Sequence, residues 1–185
     1  MVLSMSFFVF SVAVAAPKEA TQRETQKHAI GLGLGQTFLL GNFNKKGDDK
    51  ITLDFLYTYT ASYSFDLLVN FHNSSHSFDG KEVKLRGLTM GIKARYFEFD
   101  AFSPYVLGGL GFYSPQVIEN GKESDRKTTF GLNFGGGLDL RLNDTFIVGL
   151  MGQFHNPFKV EQEDPQIKDV RGSYFKLLMT IMYQF

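Results

Sequence analysis

The sequence predicts an all-β fold: a transmembrane, up-and-down antiparallel barrel of about eight strands. Three observations predict it. Apolar and polar residues alternate over stretches long enough to cross a bilayer, the connections between them alternate between long and short, and beyond His28 no run of about 18 apolar residues offers a helical span.

The chain has 185 residues, enough for one domain, and no shift in composition marks a second core. Its 19 basic and 19 acidic side chains cancel, so no single-sign field points to nucleic acid. Cysteine is absent, which removes disulfides, thiolate metal sites, thiol catalysis and a lipid anchor on an N-terminal cysteine. The 20 Phe and 8 Tyr without any Trp, and 19 Gly spread along the chain, suit closely spaced sheet better than helix.

Residues Val2 to Val14 form an apolar run too short to span a bilayer, ending in the small residues Ala13-Val14-Ala15. Residues 1–15 therefore read as a secretory signal peptide cut after Ala15, although no Lys or Arg precedes the run. A cut after Ala16 would leave Pro17 immediately beyond the scissile bond. Residues 16–27 carry Lys18, Glu19, Arg23, Glu24 and Lys27 and read as a periplasmic N-terminal tail, leaving 28–185 for the barrel.

The clearest alternation places Ile51, Leu53, Phe55, Tyr57, Tyr59, Ala61, Tyr63 and Phe65 on one face. Thr52, Asp54, Thr58, Thr60, Ser62 and Ser64 occupy the other, interrupted by Leu56. A tilted span of about 9 to 11 residues is what the hydrocarbon layer requires. A second case sets Phe130, Leu132, Phe134, Gly136, Leu138, Leu140 and Leu142 against Thr129, Gly131, Asn133, Gly135, Gly137, Asp139 and Arg141. The remaining strands are expected near 28–40, 66–73, 86–97, 104–113, 145–156 and 172–185.

Long polar connections are expected around 41–50, 74–85, 114–127 and 157–171, and short ones near Asp66, Asp100 and Asn143-Asp144. In outer-membrane barrels long loops face outward and short turns face the periplasm, which puts both termini on the periplasmic side. A bilayer offers no water to unpaired edge amides, so the strands must close.

From the C-terminus backwards, Phe185, Tyr183, Ile181, Met179, Leu177 and Phe175 alternate with Gln184, Met182, Thr180, Leu178, Lys176 and Tyr174. This ending resembles the C-terminal assembly signal of bacterial outer-membrane proteins, a last strand finishing in Phe with apolar residues at alternate positions. The resemblance implies that Phe185, Tyr183 and Ile181 engage the outer-membrane assembly machinery during biogenesis. The stretch Ser103-Pro104-Tyr105-Val106-Leu107-Gly108-Gly109-Leu110-Gly111-Phe112 is similar to the glycine-rich strand of small barrels of the OmpA, OmpX and OmpW type. That likeness of pattern covers most of the mature chain and carries no active site with it.

Aromatic girdles are expected from Phe65, Tyr96, Phe102, Phe146 and Tyr183 near the turns, and from Phe38, Phe71, Phe130, Phe154 and Phe175 toward the loops. The inward polar face then holds Asp54, Lys93, Arg95, Asp139, Arg141 and Lys176. Asp54 and Lys176 flank the first strand, whose Gly33 and Gly35 leave room for them to meet. Lys93, Arg95, Asp139 and Arg141 form a second layer with three bases to one acid, a surplus that calls for water, an anion or the tail. Buried charges are costly unless paired, so these groups are expected to interlock and plug the lumen. A soluble barrel of lipocalin type would show similar alternation with its apolar face inside.

The functional expectation is a non-enzymatic barrel that supports the envelope, with no cofactor and no metal. The runner-up is a narrow conduit for small solutes, because Leu56, Leu68, Leu110, Leu178 and Met182 interrupt the polar lining; the OmpW likeness implies such traffic. A remote alternative is lipid A hydrolysis by His72, Ser74 and Glu82, only loosely similar to a lipid A deacylase. His155 is placed roughly opposite His72, which argues against a shared metal, and His28 and His76 read as ordinary polar residues. The stretches Gly31–Gly35 and Gly135–Gly137 lack the helix and lysine of a phosphate loop. Gly136 and Gly152, on adjacent strands and facing lipid, offer a flat area for another barrel or an acyl chain, although curvature explains them more simply. A homo-oligomer is allowed but not predicted. Mixed-sign loops, such as Lys45, Lys46, Asp48, Asp49 and Lys50 or Glu161, Glu163, Asp164, Lys168, Asp169 and Arg171, are expected to contact outer-membrane lipids and lipopolysaccharide, or to adhere to a surface the sequence does not specify.

Overall fold

Closure is dictated by the amides of the first and last described strands, which a bilayer leaves no water to satisfy. In the computed structural model, which describes residues 28–95, 101–119, 121–162 and 169–185, the first and last strands of the barrel pair antiparallel from Ala29 opposite Gln184 to Leu40 opposite Ser173. Beyond that ladder the Phe185 amide donates to the His28 carbonyl at 2.8 Å and the His28 amide to the Phe185 carbonyl at 3.3 Å. No edge is left at this seam, as a water-free layer requires.

The described strands are β1 (His28–Leu40), β2 (Lys50–Thr60), β3 (Phe65–Phe78), β4 (Lys81–Arg95), β5 (Phe102–Tyr113), β6 (Gln116–Glu119), β7 (Lys122–Glu123), β8 (Thr129–Arg141), β9 (Phe146–Pro157) and β10 (Ser173–Gln184). Eight of them form one antiparallel sheet in the order β3-β2-β1-β10-β9-β8-β5-β4, and β3 pairs with β4 to complete the circle. β6 and β7 are a small hairpin laid against the loop end of β4.

The period-two pattern sets an inside-out distribution. Ile51, Phe55, Val106, Phe134, Met179 and Ile181 are exposed on the outer wall, Ile51 to 77%. Asp54, Asn70, His72, Gln153, His155 and Lys176 are buried in the lumen. A soluble barrel would bury the first set, so the lipocalin-type arrangement is excluded by the direction of the apolar face. Among the described residues no helix is long and apolar enough to cross a membrane, and the crossing elements are strands.

Four expectations need correction. The first short turn lies at residues 61–64, where the Ala61 and Ser62 amides both donate to the Phe65 carbonyl, rather than at Asp66. Alternation continues through Ala61 and Tyr63, so the pattern alone carried the second strand through the turn to Phe65. The segment 74–85 is not a loop: β3 and β4 run on to a two-residue turn, Asp79-Gly80, with φ of 46° and 72°. Past the bilayer both strand faces meet water or loops, so the apolar signal disappears while the ladder goes on. Part of 114–127 is likewise ordered, as β6 and β7. Leu110, expected inside, is 60% exposed on the outer wall, because the inward positions of β5 are Ser103, Tyr105, Leu107, Gly109, Gly111 and Tyr113.

The turn at Asn143-Asp144 falls where it is expected, with the Asn143 Oδ1 accepting from the amides of Thr145 (2.9 Å) and Phe146 (2.7 Å). The signal peptide, the tail, Tyr96, the turn at Asp100, and Glu163, Asp164 and Lys168 lie outside the described residues.

Candidate functional site

The lumen is a stack of layers, each assembled from several strands because every second residue points inward. At the turn end Lys93 of β4 is ion-paired to Asp139 of β8, with its ammonium 4.0 Å from the centre of the Tyr105 ring. Arg95 of β4 is ion-paired to Asp66 of β3 and also donates to the Tyr63 carbonyl at 3.4 Å. Asp66 thus supplies a second acid, which corrects the expected ratio of three bases to one; the earlier turn puts it inside a strand. Arg141 is half-buried here, its amide donating to the Ala101 carbonyl at 2.7 Å. Asp66, Lys93, Arg95, Tyr105 and Asp139 border a small cavity of about 20 Å³ that reaches toward the middle of the barrel.

Leu56, Leu68, Leu107, Ile147, Met151, Leu178 and Met182 cross the lumen next as an apolar layer. Above it Lys176 of β10 is ion-paired to Asp54 of β2, with both side chains fully buried. The intervening β1 carries Gly33 opposite Asp54, and a Cβ there would press on Leu178 at 3.1 Å and Leu56 at 3.6 Å. The second Asp54 oxygen accepts from Asn70 Nδ2 at 2.9 Å, and Gln153 Nε2 donates to Asn133 Oδ1 at 2.9 Å. Both oxygens of this carboxylate are therefore satisfied, the condition under which a buried ion pair is tolerable.

A layer of four rings follows. His72 Nε2 and the Tyr174 hydroxyl are 2.6 Å apart, the Tyr113 hydroxyl lies 3.1 Å from His155 Nδ1, and His155 stacks on Tyr174 with centroids 4.7 Å apart. His72 and His155 approach to 5.2 Å between centroids. Their placement on opposite walls does not keep them apart, because an eight-stranded lumen is only about two side chains wide. Still, among the described residues no group of three or more His, Cys, Asp or Glu is placed to hold a metal.

The loop end is closed by an apolar lid. Phe43, from the connection after β1, is 1% exposed and packs with Leu39, Val83, Leu85, Val117, Val160 and Val170. Val160 and Val170 pair with each other through backbone hydrogen bonds of 2.9 and 3.0 Å. Gly172 is required beneath Phe43, since a Cβ there would lie 2.6 Å from a ring carbon. The lid is tied down by the Leu39 amide to Asp49 Oδ1 at 2.9 Å and by Lys46 to Glu119 at 3.0 Å.

The histidine, serine and glutamate considered for hydrolysis are not joined. His72 is bound to Tyr174, Glu82 accepts from Ser75, and Ser74 Oγ lies 3.0 Å from His76 Nε2, whose other nitrogen donates to the Asp48 carbonyl at 2.8 Å. His28 is held at the turn end by the Tyr57 hydroxyl at 2.8 Å. On the outer wall Gly136 and Gly152 are direct partners, and the Phe175 ring lies across Gly152, occupying part of the flat area. Phe185, Tyr183 and Ile181 line up exposed along β10, with Tyr183 5.6 Å from the Phe146 ring. Sequence reasoning missed Asp66, the ring layer and the lid, all of which depend on contacts between distant strands or loops.

A family model described as the outer membrane protein beta-barrel domain matches residues 6–173. No curated protein matches the sequence. Among solved structures, Neisserial surface protein A is 10% identical with a TM-score of 0.68, covering 85% of this chain and 97% of its own. OprG from Pseudomonas aeruginosa is 12% identical with a TM-score of 0.61, covering 88% of this chain and 99% of its own. Ail, the attachment invasion locus protein of Yersinia pestis, is 15% identical with a TM-score of 0.57, covering 87% and 99%. At these identities the likeness is one of fold.

Proposed function

The chain belongs to the outer membrane protein beta-barrel domain family, and from that premise we propose a non-conducting barrel of the bacterial outer membrane that supports the envelope, with both termini in the periplasm. The observation that carries this reading is the continuity of the lumen's filling. Ion pairs, an apolar layer, the Asp54–Lys176 layer, four rings and a loop lid succeed one another along the axis. Opening a water path would require packed side chains to move and hydrogen-bonded ion pairs to separate in several layers at once.

Biogenesis in this reading uses the aromatic end of β10 as the signal to the assembly machinery, and the mature barrel is surrounded by outer-membrane lipid and lipopolysaccharide. The alternative of a narrow conduit is less well supported: of the five apolar residues that suggested it, Leu110 faces outward and the other four are buried in the closed apolar layer.

Planar-bilayer recording on the purified full-length protein tests the proposal. A closed barrel leaves the membrane at its baseline conductance, whereas discrete openings that scale with salt concentration would overturn it in favour of the conduit.

A further inference from the structure

On the outer wall the apolar band ends at a row in which Phe71 of β3 faces Leu88 of β4, and Leu88 faces Phe112 of β5, all three exposed. Two residues further on the same outward face, Asn73 pairs with Arg86, and two beyond that Ser75 pairs with Lys84. The β6 strand extends this wall by pairing Gln116 with Lys84. Asn73, Ser75, Lys84, Arg86 and Gln116 line, with Arg126, a cleft of about 330 Å³ just beyond that apolar row.

Three cations converge on it. Lys84 shares its charge with Glu123 at 3.6 Å, and Glu82 is engaged by Ser75. Among the described residues neither Arg86 nor Arg126 has a carboxylate partner in an ion pair. At the cleft wall Gln116 is buried; its Nε2 donates to the Ser124 carbonyl at 3.1 Å, while its Oε1 has no partner among the described residues.

The geometry points to a binding site for the phosphoryl headgroup of a saccharide lipid, with acyl chains against Phe71, Leu88 and Phe112 and the phosphate held by Arg86 and Arg126. The step from Leu88 to Arg86 is roughly 7 Å along the strand, the depth at which a hydrocarbon band gives way to headgroups. Guanidinium groups present paired donors that match phosphate oxygens, which favours arginine at such a contact. The inference rests on the proposed orientation with the loop ends at the outer leaflet. A free phosphate ion shares the headgroup's chemistry but has no use for the apolar row beneath.

The test titrates the purified full-length barrel in neutral detergent with diphosphorylated lipid A, with dephosphorylated lipid A and with inorganic phosphate, reading occupancy by native mass spectrometry. The expected result is a preference of about tenfold or more for the phosphorylated lipid, reduced about tenfold by Arg86→Gln with Arg126→Gln, at unchanged heat-modifiable mobility. Should that double variant fold poorly, Arg126→Gln alone, outside the strands, is expected to lower the preference about threefold. Equal binding of the two lipids, or inorganic phosphate binding as tightly as the phosphorylated lipid, would overturn the site. Conductance is read separately, so a pore would refute the closed-barrel proposal and leave this result standing.

Discussion

Lys176 and Asp54 lie 122 residues apart in sequence and form an ion pair inside the barrel in which neither side chain reaches solvent. They sit on β10 and β2, the two neighbours of β1, and meet across a strand whose inward residue between them is a glycine.

Removing one partner strands the other in a dry layer. Lys176→Met is expected to destabilise the barrel by about 3–5 kcal/mol, and adding Asp54→Asn should recover most of that loss. Equilibrium urea unfolding in lipid vesicles measures both. A cost below about 1 kcal/mol for the single variant would mean that water reaches this layer.

The lid over the lumen is predicted to loosen in acid. Hydrogen bonds from Lys46 and from Lys81 hold the Glu119 carboxyl below the usual carboxylate value. A carboxylate lowered in the folded state stabilises it fully above its ordinary value and loses that contribution as pH falls through the lowered one. Protease cleavage in residues 41–49 should therefore be slow at neutral pH and rise only in the acidic range below the ordinary carboxylate value. Glu119→Gln should cleave faster at neutral pH and show a shallower rise in acid, since the Asp49 tie to the Leu39 amide remains. Identical profiles for the two proteins would dissociate Glu119 from the lid.

Phe185 serves the seam and, in the proposed biogenesis, the assembly signal, and the two roles separate by experiment. Phe185→Tyr keeps an aromatic beside the His28 ring, whose centroid is 5.9 Å away, and should assemble normally. Phe185→Ser should lower the heat-modifiable form in isolated outer membranes several-fold while refolding from urea into detergent at nearly the parental yield. Equal losses in both settings would assign the residue to the seam alone.

Legibility in the sequence followed the bilayer. Where a strand crosses lipid, as from Leu53 to Tyr59 or from Leu177 to Tyr183, one face must be apolar and the other is free to be polar, so facing could be read along most of the strand, with Leu110 of β5 the exception. Where β3 and β4 pass beyond the band, at Asn73–Ser77 and Glu82–Arg86, that contrast ends, and a ladder of paired strands looks like a polar loop. The turn at residues 61–64 was hidden for the opposite reason, because alternation there persisted through the bend. Of the inward charges, the sequence placed Lys93 and Asp139 in one layer but missed Asp66, whose facing depends on where that turn falls.

By itself the sequence determined the class of fold, the outward direction of its oily side chains and the pairing of its two terminal strands, because the solvent around a membrane barrel acts on each residue separately and leaves a periodic record. Only the tertiary structure decided that Asp66 meets Arg95, that His72 and His155 share a layer, and that Phe43 caps the lumen. Those facts depend on strand stagger and on where loops fold back, quantities set by the closure of all eight strands together and written in no single stretch of chain.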